Sequence, residues 1–320
     1  MAPPDAVTRQ LLDALDEATT KLEAIERARH EPIAIIGMSC RMPGADDLAA
    51  FWRLLSGGVD AIREVPCDRW DLDRYYDPSP DAPGTIYCRH GGFIEGVDLF
   101  DRQFFEIAPR EAATLDPQQR LLLELTWHAF EHAHLPADRI AGTPTGVFVG
   151  ITNHDYERVL RRQSGERQID LYFSSGNTLN AAAGRIAYAF GLQGPAIAID
   201  TACSSSLVAV HLACQALRSG ECARAVVAGV NLILSPEGTI ALSRGRMLAP
   251  DGRCKTFDAA ADGYVRGEGA GVVILERLSD ARAAGDVPLA IIRGSTVNQD
   301  GASGGFTVPS GLAQQALIRK

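Results

Sequence analysis

The sequence predicts an α/β fold built as layers around a sheet, and two observations carry that prediction. Short apolar runs of strand length alternate with helical stretches through the middle of the chain. The composition, 320 residues with 46% hydrophobic and 22% charged, is that of a globular chain with enough apolar content for a core. By length alone this is one large domain or two smaller ones.

Residues 5–29 read as one helix. Leu11, Leu15, Ala18, Leu22 and Ile25 fall at spacings of 4, 3, 4 and 3, a heptad seam with charged residues on the other faces. Either its own domain or a partner helix covers that seam. Pro32 ends the helix, and the apolar start of IAIIGMSCR suits a buried strand. A helix follows around Leu48–Leu55, then a Pro/Asp loop, DPSPDAPG, at 77–84. Residues 110–134 read as one long helix, and 145–151, TGVFVGI, as an apolar strand. Residues 177–191 read as a helix rich in small residues that stops at Gly191. Next come the strand AIAID (196–200), a turn, a helix over 204–218 and the strand AVVAGVN (225–231). GAGVVILERL (269–278) and LAIIRGSTVN (289–298) read as two more strands. A largely parallel sheet is expected.

The net charge of −9 gives a field that favours neither nucleic acid nor an anionic membrane. No apolar run approaches the roughly 20 residues of a membrane span. The first 20 residues have neither the pattern of a signal peptide nor that of a transit peptide, so a cytoplasmic location is expected. The seven cysteines are irregularly spaced with no CxxC pair, which indicates neither a zinc site nor a disulfide framework. Most of them read as small buried hydrophobes.

Cys203 reads differently. In GPAIAIDTACSSSLVAVHLACQ a buried strand ends at Asp200, Cys203 sits in the turn, and an apolar helix starts at once. The first N–H groups of a helix lack intrahelical partners and, with the macrodipole, favour an anion. A thiol placed there is expected to have a lowered pKa and raised nucleophilicity. The same N–H groups can donate to a developing oxyanion. The small neighbours Ala202, Ser204, Ser205 and Ser206 leave room for a substrate arm. From these residues alone, a structural cysteine and a nucleophile both remain open.

Other candidates are weaker. Cys214 and His211 lie roughly 16 Å and 12 Å along the following helix from Cys203, so His211 cannot be its base. His128 and His132 are spaced as a metal pair, but no third ligand accompanies them and no metal is expected. RGEGAGV (266–272) is glycine-rich yet precedes a strand, whereas a dinucleotide fingerprint follows one. Neither a P-loop nor a GxSxG elbow occurs.

DTACSSSLVAVH resembles the active-site cysteine motif of ketosynthase (β-ketoacyl synthase) domains of modular type I polyketide synthases, and is similar to animal-type fatty acid synthase ketosynthases. PIAIIGMSCRMPGADDLAAFWRLLSGG, DPQQRLLLELTWHAFE, NTLNAAAGRIAYAFGLQGPA, MLAPDGRCKTFDAAADGYVRGEGAGVVILERL and NQDGASGGFTVPSG resemble further family blocks in the family's order. The resemblance covers about residues 31–320. It implies a thiolase-like fold, a duplicated αβαβα sandwich, with its first half over residues 31–285 and the start of its second half over 286–320. It implies that Cys203 takes an acyl chain as a thioester from the phosphopantetheine arm of an acyl carrier protein. A malonyl-type extender then loses CO₂ and attacks that thioester. It implies a homodimer, no directly bound cofactor, and an oxyanion hole that includes the Cys203 backbone N–H. Residues 1–30 look like a docking coiled coil that receives an upstream synthase polypeptide. The Cys, where decarboxylating loading domains carry Gln, points to an elongating domain.

The chain departs from the family in one respect. The family's two histidines, in an HGTGT-type and a GH motif, have no counterpart here, since no histidine follows His211. An incomplete second half is therefore expected, with exposed apolar surface over 286–320, poor stability in isolation and no completed condensation. Two other readings are a docking or scaffold fragment, for which residues 5–29 speak, and another thiolase-fold acyltransferase, against which DTACSSS and PDGRCKTFD speak. Arg158, Arg161, Arg162 and Arg167 form either a carrier-protein contact or a solvated helix face.

Overall fold

The computed structural model describes residues 6–320, without the side chains of Ala6, Val7, Leu11, Ala24, Arg27, Arg167 and Gln168. Residue 5 and the side chain of Leu11, part of the expected helix and seam, thus lie outside what is described. The strands are β1 (Ile33–Arg41), β2 (Ile62–Glu64), β3 (His90–Gly92), β4 (Thr145–Gly150), β5 (Ala196–Ile199), β6 (Arg224–Asn231), β7 (Gly269–Arg277) and β8 (Ala290–Ile292). The helices are α1 (Ala6–Arg29), α2 (Leu48–Ser56), α3 (Leu72–Tyr75), α4 (Pro109–Thr114), α5 (Pro117–His132), α6 (Ala137–Ile140) and α7 (Asp155–Ser164). They continue as α8 (Leu171–Asn177), α9 (Asn180–Phe190), α10 (Ser205–Ser219), α11 (Glu237–Arg244), α12 (Leu278–Ala284) and α13 (Gly311–Arg319).

Six strands form one sheet in the order β5-β4-β6-β7-β1-β8, and β2 and β3 form a separate hairpin. Along each strand alternate residues point to opposite faces. Val147, Val149, Val226, Ala228, Val272 and Ile274 enter a core made with α5, α9 and α12. Phe148, Val227 and Leu275 enter a second core against α10. Burying one such side chain contributes about 2 kcal/mol.

The sheet is mixed, which corrects the expected largely parallel arrangement. β4 runs parallel to β5 and β6, whereas β7 is antiparallel to β6 and β1, and β8 is antiparallel to β1. A strand buried on both faces reads as a continuous apolar run in either direction, so periodicity cannot report its sense.

The helix expected over 110–134 is two. α4 ends before Leu115, which is extended, and α5 begins at Pro117 with the Asp116 carboxylate accepting from the Gln118 N–H. A residue before proline avoids the α region, and proline suits a first helical turn. The strand expected over 289–298 has three residues, β8, and it pairs with β1. α1 leaves Leu15, Leu22 and Ile25 more than half exposed. Over 286–320, Val287, Phe306, Leu312 and Ile318 are exposed as expected. No helix among the described residues is long and apolar enough to cross a membrane.

Candidate active site

β4 and β6 lie side by side and parallel, so their carboxyl ends open on the same edge of the sheet. The chain leaving β5 turns there through Asp200 and Thr201, makes a 3-10 turn over Ala202–Ser204, and enters α10. Cys203 is exposed in that turn.

The turn is held by the hydroxyls of its own sequence. Ser205 Oγ accepts from the Thr201 N–H at 2.9 Å and donates to the Ala202 carbonyl at 2.7 Å. Ser204 Oγ donates to the Thr201 carbonyl at 3.0 Å and lies 2.9 Å from Thr201 Oγ1. Asp200 Oδ1 accepts from the Ala202 N–H at 3.0 Å. Short polar side chains compete well for local backbone groups, which is why DTACSS makes a turn. Ala202 has φ of +56°, a conformation uncommon outside glycine, and it sets the direction of Cys203.

Two glycines let α10 sit on the sheet. A Cβ at Gly150 would lie 2.6 Å from Ser206 N, and one at Gly229 2.7 Å from Ser206 Cβ. Ala209, Ala213 and Ala216 extend the close contact along the helix. Cys203 thereby stands at one wall of a cleft of about 870 Å³ above the ends of β4 and β6.

The opposite wall is segment 264–271. Its anchor is Glu268, whose side chain is 0% exposed and accepts four hydrogen bonds. Arg69 gives two, at 2.9 and 2.8 Å, and the N–H groups of Ile94 and Ile233 give the others at 3.0 and 2.9 Å. Burial acts against the Arg69 cation, but its bonds to Glu268 prevail and its pKa is raised. Asn231 Nδ2 donates to the Gly267 carbonyl at 2.8 Å and joins this wall to β6. Arg266 donates to Thr239 Oγ1 at 2.7 Å, and burial lowers its pKa.

A polar network ties the start of α5 to the segments that follow β4 and β6. Gln118 Nε2 donates to the Asn153 carbonyl at 2.6 Å, and Asn153 Nδ2 donates to the Leu232 carbonyl at 2.6 Å. Asp155 accepts from the Leu234 and Ser235 N–H groups at 3.2 Å. Burial pushes the Asp116 carboxyl up to about 7, with Asp155 adding and the Gln118 hydrogen bonds opposing.

The other candidates lie elsewhere. His211 Nδ1 is 2.9 Å from Ser295 Oγ. Cys214 is fully buried, and burial raises its pKa. Cys40, Cys88 and Cys222 are also buried, while Cys67 and Cys254 are exposed, unlike the buried hydrophobes expected of most cysteines. His132 Nδ1 accepts from the Met38 N–H at 3.1 Å, and among the described residues no metal-ligating cluster forms. Arg158, Arg161 and Arg162 pair with Asp155, Glu157 and Glu237 within the chain, and Arg167 lies outside the described side chains. An apolar hollow of about 420 Å³ beside Trp127 and Ile140 has no cysteine in its lining.

As a sequence, RGEGAGV reads as a failed dinucleotide motif, yet it forms the wall facing Cys203. Its signal is an acidic residue among glycines at the head of a buried strand. A carboxylate there needs a buried cation, and Arg69 lies 199 residues away in sequence.

Residues 30–281 match the family described as β-ketoacyl synthase, N-terminal domain. A phenolphthiocerol/phthiocerol polyketide synthase polypeptide of Mycobacterium tuberculosis is 55% identical over 100% of this chain and 15% of its own length. The pikromycin polyketide synthase component PikAII of Streptomyces venezuelae is 51% identical over 96% of this chain and 8% of its own. Among solved structures, the oxazolomycin ketosynthase domain OzmH KS7 of Streptomyces albus superposes with TM-score 0.85 at 44% identity, covering 90% of this chain and 49% of that one. The ketosynthase from module 6 of the bacillaene synthase of Bacillus subtilis gives TM-score 0.83 at 44% identity, covering 90% and 48%. The chain thus spans about half of these solved ketosynthases, and it belongs to the β-ketoacyl synthase family, among the thiolase-like ketosynthase domains of polyketide synthases.

Proposed function

We propose that Cys203 is the acyl acceptor of a decarboxylating β-ketoacyl synthase. The observation that supports this most is an exposed thiol on a rigid strand–turn–helix elbow that opens into a large cleft. Cys203 Sγ attacks the thioester carbonyl of an acyl chain on the phosphopantetheine arm of an acyl carrier protein. The new C–S bond forms, the bond to the carrier sulfur breaks, and the thiol proton passes to that leaving sulfur. The Cys203 backbone N–H is the proposed oxyanion donor. In the second step the α-carbon of a malonyl-type extender, freed by loss of CO₂, bonds to the acyl carbonyl carbon and releases Cys203 as thiolate. The histidines that the family uses there have no match among the seven of this chain, and the cleft lining contains none. The residues described supply the loading step, and the active unit is proposed to be a homodimer.

The test is intact-protein mass after incubation with an acyl thioester, on the parent chain and on Cys203→Ala. One acyl adduct in the parent and none in the variant is expected. An adduct that survives in Cys203→Ala would move the acceptor elsewhere.

A second reading concerns α1. Its seam residues Leu15, Leu22 and Ile25 are exposed, which supports a coiled-coil contact with an upstream synthase polypeptide. Deleting residues 1–29 is expected to abolish capture of that polypeptide and leave Cys203 loading unchanged.

A further inference from the structure

We infer that the small cavity between the β2–β3 hairpin, Trp70 and α11 binds a monatomic anion, chloride or bromide. Three side chains with unspent polar atoms line it. Arg266 gives one N–H to Thr239 Oγ1 at 2.7 Å, and among the described residues no carboxylate forms an ion pair with it. Asp155 and Glu268 act on it through space, but each already holds its own arginine, Arg158 and Arg69. Trp70 is 8% exposed, and its Nε1 is buried with no hydrogen-bond partner. His90 Nδ1 is also buried without one. By contrast Arg120, buried and likewise without a carboxylate, donates to the Leu115 and Asp98 carbonyls and the Tyr156 hydroxyl. Folded chains rarely leave buried polar groups unpaired, and an uncompensated buried cation is costlier still.

The other polar groups of the lining are spent. Thr239 accepts from Arg266, and Cys88 Sγ donates to the His90 carbonyl at 3.5 Å. The rest is apolar, Val65, Phe93, Ile233 and Leu248, and among the described residues no carboxylate lines the cavity to repel an anion. Size narrows the ligand. The centre of a water-sized sphere has about 10 Å³ to move in, which admits one water or one halide and excludes sulfate, phosphate or a carboxylate. Charge separates the first two. A water satisfies Trp70 and His90 but leaves the Arg266 cation uncompensated, whereas a halide supplies the opposite charge. The site lies behind the wall that faces Cys203: the Arg266 carbonyl accepts from the Gly92 N–H at 2.9 Å, and the Glu268 N–H donates to the Gly92 carbonyl at 2.8 Å. A bound halide therefore braces that wall.

The experiment records the thermal unfolding midpoint of the intact chain in sodium chloride, bromide and gluconate at equal ionic strength, for the parent, Arg266→Met and Trp70→Phe. Gluconate is too large for the cavity. The parent midpoint is expected to lie about 2 °C higher in either halide than in gluconate, and both variants to lose that difference. Trp70→Phe keeps an aromatic ring and removes the N–H, so it carries the test if Arg266→Met does not fold. Crystals of the parent grown in bromide are expected to show anomalous scattering beside Trp70 Nε1 and the Arg266 guanidinium. A midpoint indifferent to halide, a halide shift of the same size in the variants, or a cavity that holds only water in bromide overturns the inference.

Discussion

The two walls of the cleft are built in different ways. The Cys203 wall is local: within residues 200–206, Asp200, Thr201, Ser204 and Ser205 satisfy one another's polar groups, and the turn needs only glycine beneath it. The facing wall, 264–271, is held from afar, by an ion pair between Glu268 and Arg69 that is closed to solvent. A local wall keeps its shape through its own dihedrals and hydrogen bonds. A remote one depends on the whole domain being folded, so it is the wall that stability controls.

Breaking the remote wall is expected to cost most. Glu268→Ala leaves the buried Arg69 cation with the exposed Asp68 as its one remaining carboxylate among the described residues, a loss of about 4 kcal/mol. Urea denaturation measures it, and a loss below about 1 kcal/mol would show that the pair is not the anchor.

The polar network of Asp116, Gln118, Asn153 and Asp155 is expected to respond to pH. The folded-state pKa of Asp116, about 7, lies above its ordinary value of 3.8, so folding favours the protonated form. That stabilisation is complete below about pH 4 and is lost as pH rises through about 7, by about 4 kcal/mol at most. Between roughly pH 4 and 7 the parent should lose stability relative to Asp116→Asn. Parallel stability profiles for the two would reject this.

Breaking the local wall from below costs less stability and more function. Gly150→Ala drives a Cβ into Ser206 N, and the overpacked contact is against backbone that cannot rotate away. About 3 kcal/mol and most Cys203 loading should be lost, by denaturation and intact mass. Ala202→Val sharpens the contrast further. A β-branched residue at φ of +56° costs about 1 to 2 kcal/mol, yet it turns Cys203 itself, so loading should fall about tenfold or more. Loading that tracks stability alone across these variants would mean that the walls are not distinct.

The same contrast explains what can be read from the residues. The elbow is legible because strand, hydroxyl-rich turn and apolar helix follow one another in 196–219. The helix break at 115–117 is also written there, in Leu-Asp-Pro, but the apolar periodicity on either side masks it. The sense of β1 and β7 is not legible, because burial on both faces hides it. Nor is the partner of Glu268, since no local pattern identifies which arginine a distant carboxylate will meet.

By itself the sequence determined the family, through the blocks that resemble known ketosynthases, and the candidate nucleophile with the turn that presents it, because short-range spacing and hydrogen bonding specify those two. Only the tertiary structure decided the mixed sheet, the pairing of Arg69 with Glu268 and the gathering of Trp70, His90 and Arg266 around one cavity. Each of these depends on contacts between segments far apart in the chain, which form when burial of the whole core offsets the entropy of bringing them together.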